Sequence, residues 1–254
     1  MIGFAPGRSV LHRAHPYTPL TVAAGIFFLA FAVRSPAAVW IIVAGAALFA
    51  ASGGVIGPVL RPAAVLALPT WALLTVIHGL LGGAPYVAVG PIAFSAPGTV
   101  LALVFGGRLA AILLAFLTAL ATVSPARLVE AMTARGVPFQ RMYLLVSTLT
   151  VVPRLRERVV RIVEAQQCRG LALGGSPVAR VRALGPLVVP LVLSALAEVD
   201  EQALALDVRG GTLPGRRTAL EPPEDRVSDR LVRWLVVAVV VAAYVYALRW
   251  GRAT

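Results

Sequence analysis

The chain has 254 residues, 59% of them hydrophobic and only 13% charged, with a mean hydropathy of +0.86. A soluble domain is about 45–50% apolar and about 25% charged, so this is the composition of a membrane protein. The net charge of +12 rests on 23 basic residues, every one an arginine; with no lysine there is no P-loop, whose lysine grips the β/γ-phosphates, and any ATP that drives this chain is bound by another subunit.

In chain order, the opening stretch MIGFAPGRSVLHRAHPYTPL lacks the basic-then-apolar order and small-residue cleavage site of a signal peptide. His12 and His15 read as a solvated interfacial pair, since two nitrogens alone make a poor metal site. Residues 18–33 and Ala37 to about Ala51 are apolar, separated by Arg34-Ser35-Pro36, and short against the roughly 17–25 residues of a span. They are expected to pair as a hairpin. The third apolar run covers 62–81, with Pro69 as an expected kink and His78 as a hydrogen-bonded packing residue. An uncharged loop rich in glycine and proline follows at 82–98. The fourth run, 99–122, carries Arg108; Gly106-Gly107 beside it imply a break or an interface where the guanidinium reaches a partner. The last run, 234–248, is bracketed by Arg230 and Arg233 before it and Arg249 and Arg252 after.

Residues 123–233 differ in kind, holding 16 of the arginines and all 11 acids. Their apolar runs, 143–152 and 183–197, fall short of a span and suit buried or interfacial helices. From Pro153 the pattern Leu155, Val159, Ile162, Val163 and Gln166 predicts an amphipathic helix ending at Arg169-Gly170, with Glu157 and Arg161 as an i,i+4 pair. A second helix is expected from about Val178 to Arg209, carrying Glu198, Glu201 and Asp207. The runs Gly215-Arg216-Arg217 and 221–225 read as a solvated return loop. The chain therefore divides into membrane helices at 1–122, a cytoplasmic or interfacial region at 123–233 and a last membrane helix at 234–254. The fold class is an all-α polytopic membrane protein with about five crossings. Arginine-rich loops stay cytoplasmic, which places the N-terminus and 123–233 inside and the C-terminus outside.

Two of these cytoplasmic helices end alike, in Cys168-Arg169-Gly170 and Val208-Arg209-Gly210. Glycine stops a helix in the left-handed position after its end, and arginine in the last turn complements the dipole by about 0.3–1 kcal/mol. A second role exceeds that. Arginine at a projecting tip offers a planar fork of donors, and truncating one in a buried interface typically costs about 2–5 kcal/mol. Cys168 reads as a packing variant of a small residue. Arg135-Gly136, in AMTARGVP, reads as a third helix stop of structural meaning only.

With these motifs in view, the sequence resembles the transmembrane T component of energy-coupling-factor (ECF) transporters, the CbiQ-like family of vitamin and metal-ion uptake systems. The two tripeptides, the first preceded by Glu164-Ala165-Gln166, correspond to the family's Ala-Arg-Gly-type endings, with Cys168 and Val208 in place of alanine. The stretch Pro6-Gly7-Arg8-Ser9-Val10-Leu11-His12-Arg13-Ala14-His15-Pro16-Tyr17-Thr18 resembles the family's N-terminal motif, with His15 in place of an acid and Tyr17 and Pro19 in place of basic residues. The resemblance covers essentially the whole chain. It implies a non-catalytic coupling subunit of an ABC-type importer in a bacterial plasma membrane, with two cytoplasmic ATPases and a small membrane-embedded S component as partners. Cys168, Arg169, Gly170, Val208, Arg209 and Gly210 would form the ATPase-docking tips, and the runs 143–152 and 183–197, with Pro186 and Pro190, would face the S component. The S component chooses the substrate, and no cofactor, bound metal or nucleic acid is implied. An intramembrane enzyme is disfavoured because residues 1–129 hold no acid and no Ser/His/Asp or HExxH set is present. A self-contained secondary transporter, the alternative, would rest on Arg108 and His78.

Overall fold

The first apolar segments form α1 (Val10–Arg13), α2 (Tyr17–Ala32), α3 (Pro36–Ser52) and α4 (Ile56–Leu74), the last running on into a π-helical turn at Thr75–Leu80. A two-stranded antiparallel ribbon follows, β1 (Tyr86–Val89) with β2 (Ile92–Ser95), pairing Tyr86 with Ser95 and Val89 with Ile92. Then come α5 (Ala96–Thr122), α6 (Pro125–Ala134), α7 (Phe139–Cys168), α8 (Pro177–Val208) and α9 (Val227–Trp250). This computed structural model describes residues 7, 9–80, 82–89, 92–171, 174, 177–211 and 224–250. Pro6, Arg8, Gly215-Arg216-Arg217, residues 221–223 and Arg252 lie outside the described residues. The chain divides into two compact units, residues 1–131 with 223–254, and residues 132–222.

Among the described residues, three helices are long and apolar enough to cross a membrane: Ile56–Leu80, Ala96–Thr122 and Val227–Arg249. The apolar helices α2 and α3 are shorter, at 16 and 17 residues. They adjoin through a tight turn, yet each packs more extensively on α5 than on the other. Ser35 starts α3 by accepting from the Ala38 N–H at 3.4 Å, with Pro36 at the first helical position. Ser95 does the same for α5, accepting from the Gly98 N–H at 3.2 Å. The stretch expected to be a bare loop at 82–98 thus contains the β-ribbon. Ser95 Oγ anchors it by donating to the Gly83 carbonyl at 2.5 Å.

Helix α5 is the centre of the first unit, packed by α2, α3 and α4. Its buried positions are mostly small, among them Ala102, Gly106, Gly107, Ala111, Ala115, Ala119 and Ala121. In lipid, helices associate by close packing, and small residues let backbones approach. A Cβ at Gly106 would overlap the Trp71 indole, and one at Gly107 would press on Val39. No break accompanies these glycines, so of the two expectations for Arg108 only the interface stands. Its Nη2 donates to the Val33 carbonyl at 2.8 Å, and its guanidinium lies 5.7 Å from the Phe31 ring and 5.5 Å from Phe105. His78 Nδ1 lies 3.2 Å from the Leu74 carbonyl oxygen, within its own helix. Both residues are thus engaged in packing contacts within the bundle.

A polar network closes the opposite end of this bundle, and it corrects the expectation of solvated histidines. His12 and His15 are 8% and 4% exposed. Ser9 Oγ is 2.7 Å from His12 Nδ1, and the Tyr17 N–H donates to His15 Nδ1 at 3.3 Å. Asp229, from the first turn of α9, accepts from the His15 N–H at 3.4 Å and from the Thr18 hydroxyl at 3.3 Å. The Arg127 guanidinium, from α6, donates to the carbonyls of His12 and Arg13. Arg233 holds both oxygens of Asp225, at 2.7 and 2.9 Å. The physical reason for the burial is that a helix start needs acceptors and a chain crossing under three helices needs its backbone satisfied. Burial pushes the Asp225 carboxyl up, but the Arg233 hydrogen bond and charge, aided by His15 and Arg230, hold it below the ordinary carboxylate value.

Candidate functional site

The second unit is built on two long helices. The apolar run 143–152 is not a separate element. It continues through Pro153 into the amphipathic segment to form the 30 residues of α7, and 183–197 lies likewise inside the 32 residues of α8, with Pro186 and Pro190. The two helices meet along a polar seam. Arg158 Nη2 donates to Glu198 Oε2 at 2.5 Å, and Arg158 Nη1 to Ser194 Oγ at 3.4 Å. Gln202 Nε2 donates to Glu198 Oε1 at 2.9 Å, and the Tyr143 hydroxyl donates to Gln202 Oε1 at 3.1 Å. Arg154 stands 3.6 Å from Glu198. The Arg158 and Glu198 side chains are 22% and 26% exposed, so their attraction is screened less than that of a surface pair. The expected Glu157–Arg161 pair does not form among the described residues, where the ion pairs of α7 run across to Glu198 instead. The signal for the seam was present: Arg154 and Arg158 are four apart on one helix, Glu198 and Gln202 four apart on the other.

Beyond Arg158 and Glu198 each helix runs on to its arginine, with Gln202 of α8 still tied to Tyr143 on the way. Arg169 lies 11 residues past Arg158, and Arg209 lies 11 past Glu198, so each arm reaches about 17 Å at 1.5 Å per residue. Both tips end in the same closed geometry. Gly170 takes φ +87°, its N–H donating to the Gln167 carbonyl at 2.9 Å while the Leu171 N–H donates to Gln166 at 2.9 Å. Gly210 takes φ +70°, with Gly210 N–H to Asp207 at 3.0 Å and Gly211 N–H to Leu206 at 2.6 Å. These are Schellman caps, which satisfy the last carbonyls and leave the preceding residue at the helix end.

The tips therefore meet the bland expectation for their glycines in full. Gly136, at φ +75° after Arg135, closes α6 in the same way. What sets Arg169 and Arg209 apart is the arginine itself. Both are exposed, and among the described residues neither guanidinium meets an acceptor, whereas Arg135 is engaged with the rest of the chain. Cys168 and Val208 are also exposed, Val208 at 81%. Apolar side chains stand out along both helices nearer the seam, among them Leu144, Val152, Val189, Leu193 and Leu196. Among the described residues no three His, Cys, Asp or Glu side chains gather to hold a metal ion. The arrangement offers two capped rods, each ending in an arginine, joined at one seam, with an apolar flank.

The comparisons with known proteins agree on one family. A family model described as CbiQ, cobalt transport protein, matches residues 7–220. Energy-coupling factor transporter transmembrane protein EcfT of Limosilactobacillus fermentum is 28% identical over 270 residues, covering 97% of this chain and 96% of that protein. The EcfT protein of Brevibacillus brevis is 30% identical over 271 residues, covering 98% and 96%. A Bifidobacterium longum protein named as an ABC transporter ATP-binding protein is 28% identical over 261 residues; the match takes 96% of this chain and only 32% of that protein. With apolar helices long enough to span, the match from residue 7 to 220 and near full-length likeness to EcfT proteins, the chain belongs to the CbiQ family and is the transmembrane component of an energy-coupling-factor transporter of the ABC class.

Proposed function

We propose that this chain is the non-catalytic coupling subunit of its transporter, and that Arg169 and Arg209 dock it to two cytoplasmic ATPase subunits. The observation that carries the reading is the pair of equal, capped arms whose terminal guanidiniums meet no acceptor among the described residues. A helix end projects and transmits displacement along its axis, and the arginine fork suits a carboxylate or a set of carbonyls in a groove. The Bifidobacterium longum relative supports the partnership. Its region of likeness sits in a chain about three times as long that is named for ATP binding, the arrangement expected where a coupling subunit and its ATPase are joined in one polypeptide.

In this reading, residues 1–122 and 234–254 hold the membrane and 123–233 couples. The 16 arginines of that region keep it and the N-terminus on the cytoplasmic side of a bacterial plasma membrane. The apolar flanks of α7 and α8 carry a membrane-embedded S component, which selects the vitamin or metal ion taken up. ATP-driven closure of the ATPases moves the two arms, and the flanks reorient the S component.

Co-purification tests the docking. A tagged chain is expressed with its candidate ATPases as wild type, Arg169→Ala, Arg209→Ala and the double variant. Each single change is expected to weaken association by about 2–5 kcal/mol, and the double variant to lose the ATPases and coupled uptake while keeping its thermal midpoint. Wild type that retains no ATPase, or a double variant that retains as much as wild type, refutes the assignment.

A further inference from the structure

Helices α2 and α3 are too short to carry the apex between them across a full hydrocarbon core. The start of α2, the end of α3 at Gly53 and the end of α5 at Thr122 share one level, where Gly53 packs against Leu11 and Thr122. From that level α2 rises 16 residues and α3 spans 17, about 24 and 26 Å, against a hydrocarbon core of about 30 Å. Arg108 lies 14 residues above Thr122 on α5, about 21 Å up. It bonds the Val33 carbonyl at the very end of α2. Helix α5 continues 12 residues further to Ala96, about 18 Å. The apex, with Arg34 exposed beside it, thus stands as a step below the membrane surface at the Ala96 end.

Two positive charges occupy that step without a counter-ion from the chain. Nη2 is the one Arg108 nitrogen with an acceptor among the described residues, and Nε is buried with none. No acid occurs before Glu130, and the described acids of the first unit within hydrogen-bonding range of another group lie at the far end, in the Asp225 and Asp229 network. An anion for these two guanidiniums would have to come from outside the first unit and reach them through their exposed nitrogens, since Arg108 Nε is buried. Phe31 and Phe105, which flank the guanidinium, are 51% and 42% exposed and present apolar surface beside it. Charge within an apolar rim at this depth matches a lipid: phosphate for the guanidiniums, acyl chains for the rings. Arginine in a bilayer draws headgroups inward in this way, and its fork fits phosphate oxygens.

We propose that the α2–α3 apex is a phospholipid site, in which Arg108 and Arg34 hold the phosphate of a lipid drawn below the surface of the leaflet at the Ala96 end. The site rests on the membrane placement of the helices and is independent of the docking role of Arg169 and Arg209.

Native mass spectrometry of the full chain in detergent tests it, with phosphatidylethanolamine as the phosphate lipid and a diacylglycerol glycolipid as the phosphate-free one. A zwitterionic lipid avoids the general attraction of a +12 chain for anions. Wild type is expected to bind one phosphatidylethanolamine about tenfold more tightly than the glycolipid. Arg108→Gln should erase that preference. Because Arg108 also closes α2, the exposed Arg34→Ala is the cleaner variant: it should weaken the phosphate lipid several-fold, with glycolipid binding and thermal midpoint unchanged. Equal retention of the two lipids by wild type, as from an apolar annulus or a site kept for a partner's carboxylate, overturns the proposal. So does an Arg34→Ala variant that binds phosphatidylethanolamine like wild type.

Discussion

The two units of this chain are held together by opposite means. Residues 1–131 with 223–254 form a bundle in which Gly106, Gly107 and a run of alanines let Trp71, Val39 and neighbouring helices close on α5. Residues 132–222 hold two helices of 30 and 32 residues joined by one seam around Arg158, Glu198, Gln202 and Tyr143. The bundle spreads its stability over many small contacts along whole helices. The second unit gathers its polar contacts on one face of each helix, from Tyr143 to Arg158 on α7 and from Ser194 to Gln202 on α8, and leaves Arg169 and Arg209 without an acceptor among the described residues. A frame is served by the first kind of construction, and the coupling role proposed above would be served by the second.

The sharpest way to break the contrast is to overfill the bundle. Gly106→Leu drives a side chain into the Trp71 indole, and overpacking typically costs about 1–3 kcal/mol. The thermal midpoint of the purified chain should fall and its yield in membranes drop; a variant that melts with wild type would mean that the glycines are not what closes the bundle. Next comes the seam. Glu198→Ala leaves Arg158 half-buried and unpaired, at about 1–3 kcal/mol. Hydrogen exchange should rise along α7 and α8 while α5 keeps its protection, and uniform exchange in both units would contradict a local hinge. Smaller still, Gly170→Ala or Gly210→Ala forces a Cβ to φ +87° or +70°, at about 1 kcal/mol. It should fray one tip and reduce ATPase capture without shifting the global melt.

The smallest expected effect depends on pH. Asp225 is held below its ordinary value of 3.8, so its contribution is complete above that value and is lost as the pH falls through the lower folded-state pKa. The stability gap between wild type and Asp225→Asn should therefore be constant at neutral pH and close below about pH 4. A gap that widens in acid would reverse the assigned sign.

Much of the architecture was legible because lipid imposes a simple demand. Long apolar runs marked α5 to within three residues and the apolar part of α9, whose arginine-bearing first turns begin seven residues earlier than expected, at Val227. What stayed hidden depends on contacts between distant residues. Thr18 and Asp229 are 211 positions apart, so no local pattern reports that pair; the i,i+4 spacings of Arg154 with Arg158 and of Glu198 with Gln202 mark two polar faces, but not that they meet across 40 residues. The histidines were misjudged for the same reason, since residues from α6 and α9 cover them. Pro153 bounds two segments on paper but not in space, because α7 continues through it, as α8 does through Pro186 and Pro190. The Arg-Gly endings were visible at once, yet their shared cap with Arg135-Gly136 shows that a helix stop alone does not identify a docking tip.

The seam also sets a mechanical ratio. Eleven residues separate it from each tip, while α7 extends 19 residues the other way to Phe139 and α8 extends 21 to Pro177. With 1.5 Å per residue these are lever arms of about 17 Å against about 29 and 32 Å. Because Tyr143, on the far limb of α7, also bonds Gln202, on the tip arm of α8, the two helices would turn about Arg158 and Glu198 as one tied pair, enlarging a stroke at the arginines by a little under twofold at the far ends. Pro153 interrupts the backbone ladder of the α7 lever, and Pro186 and Pro190 that of α8, so each limb would carry its own point of compliance between the seam and its far end.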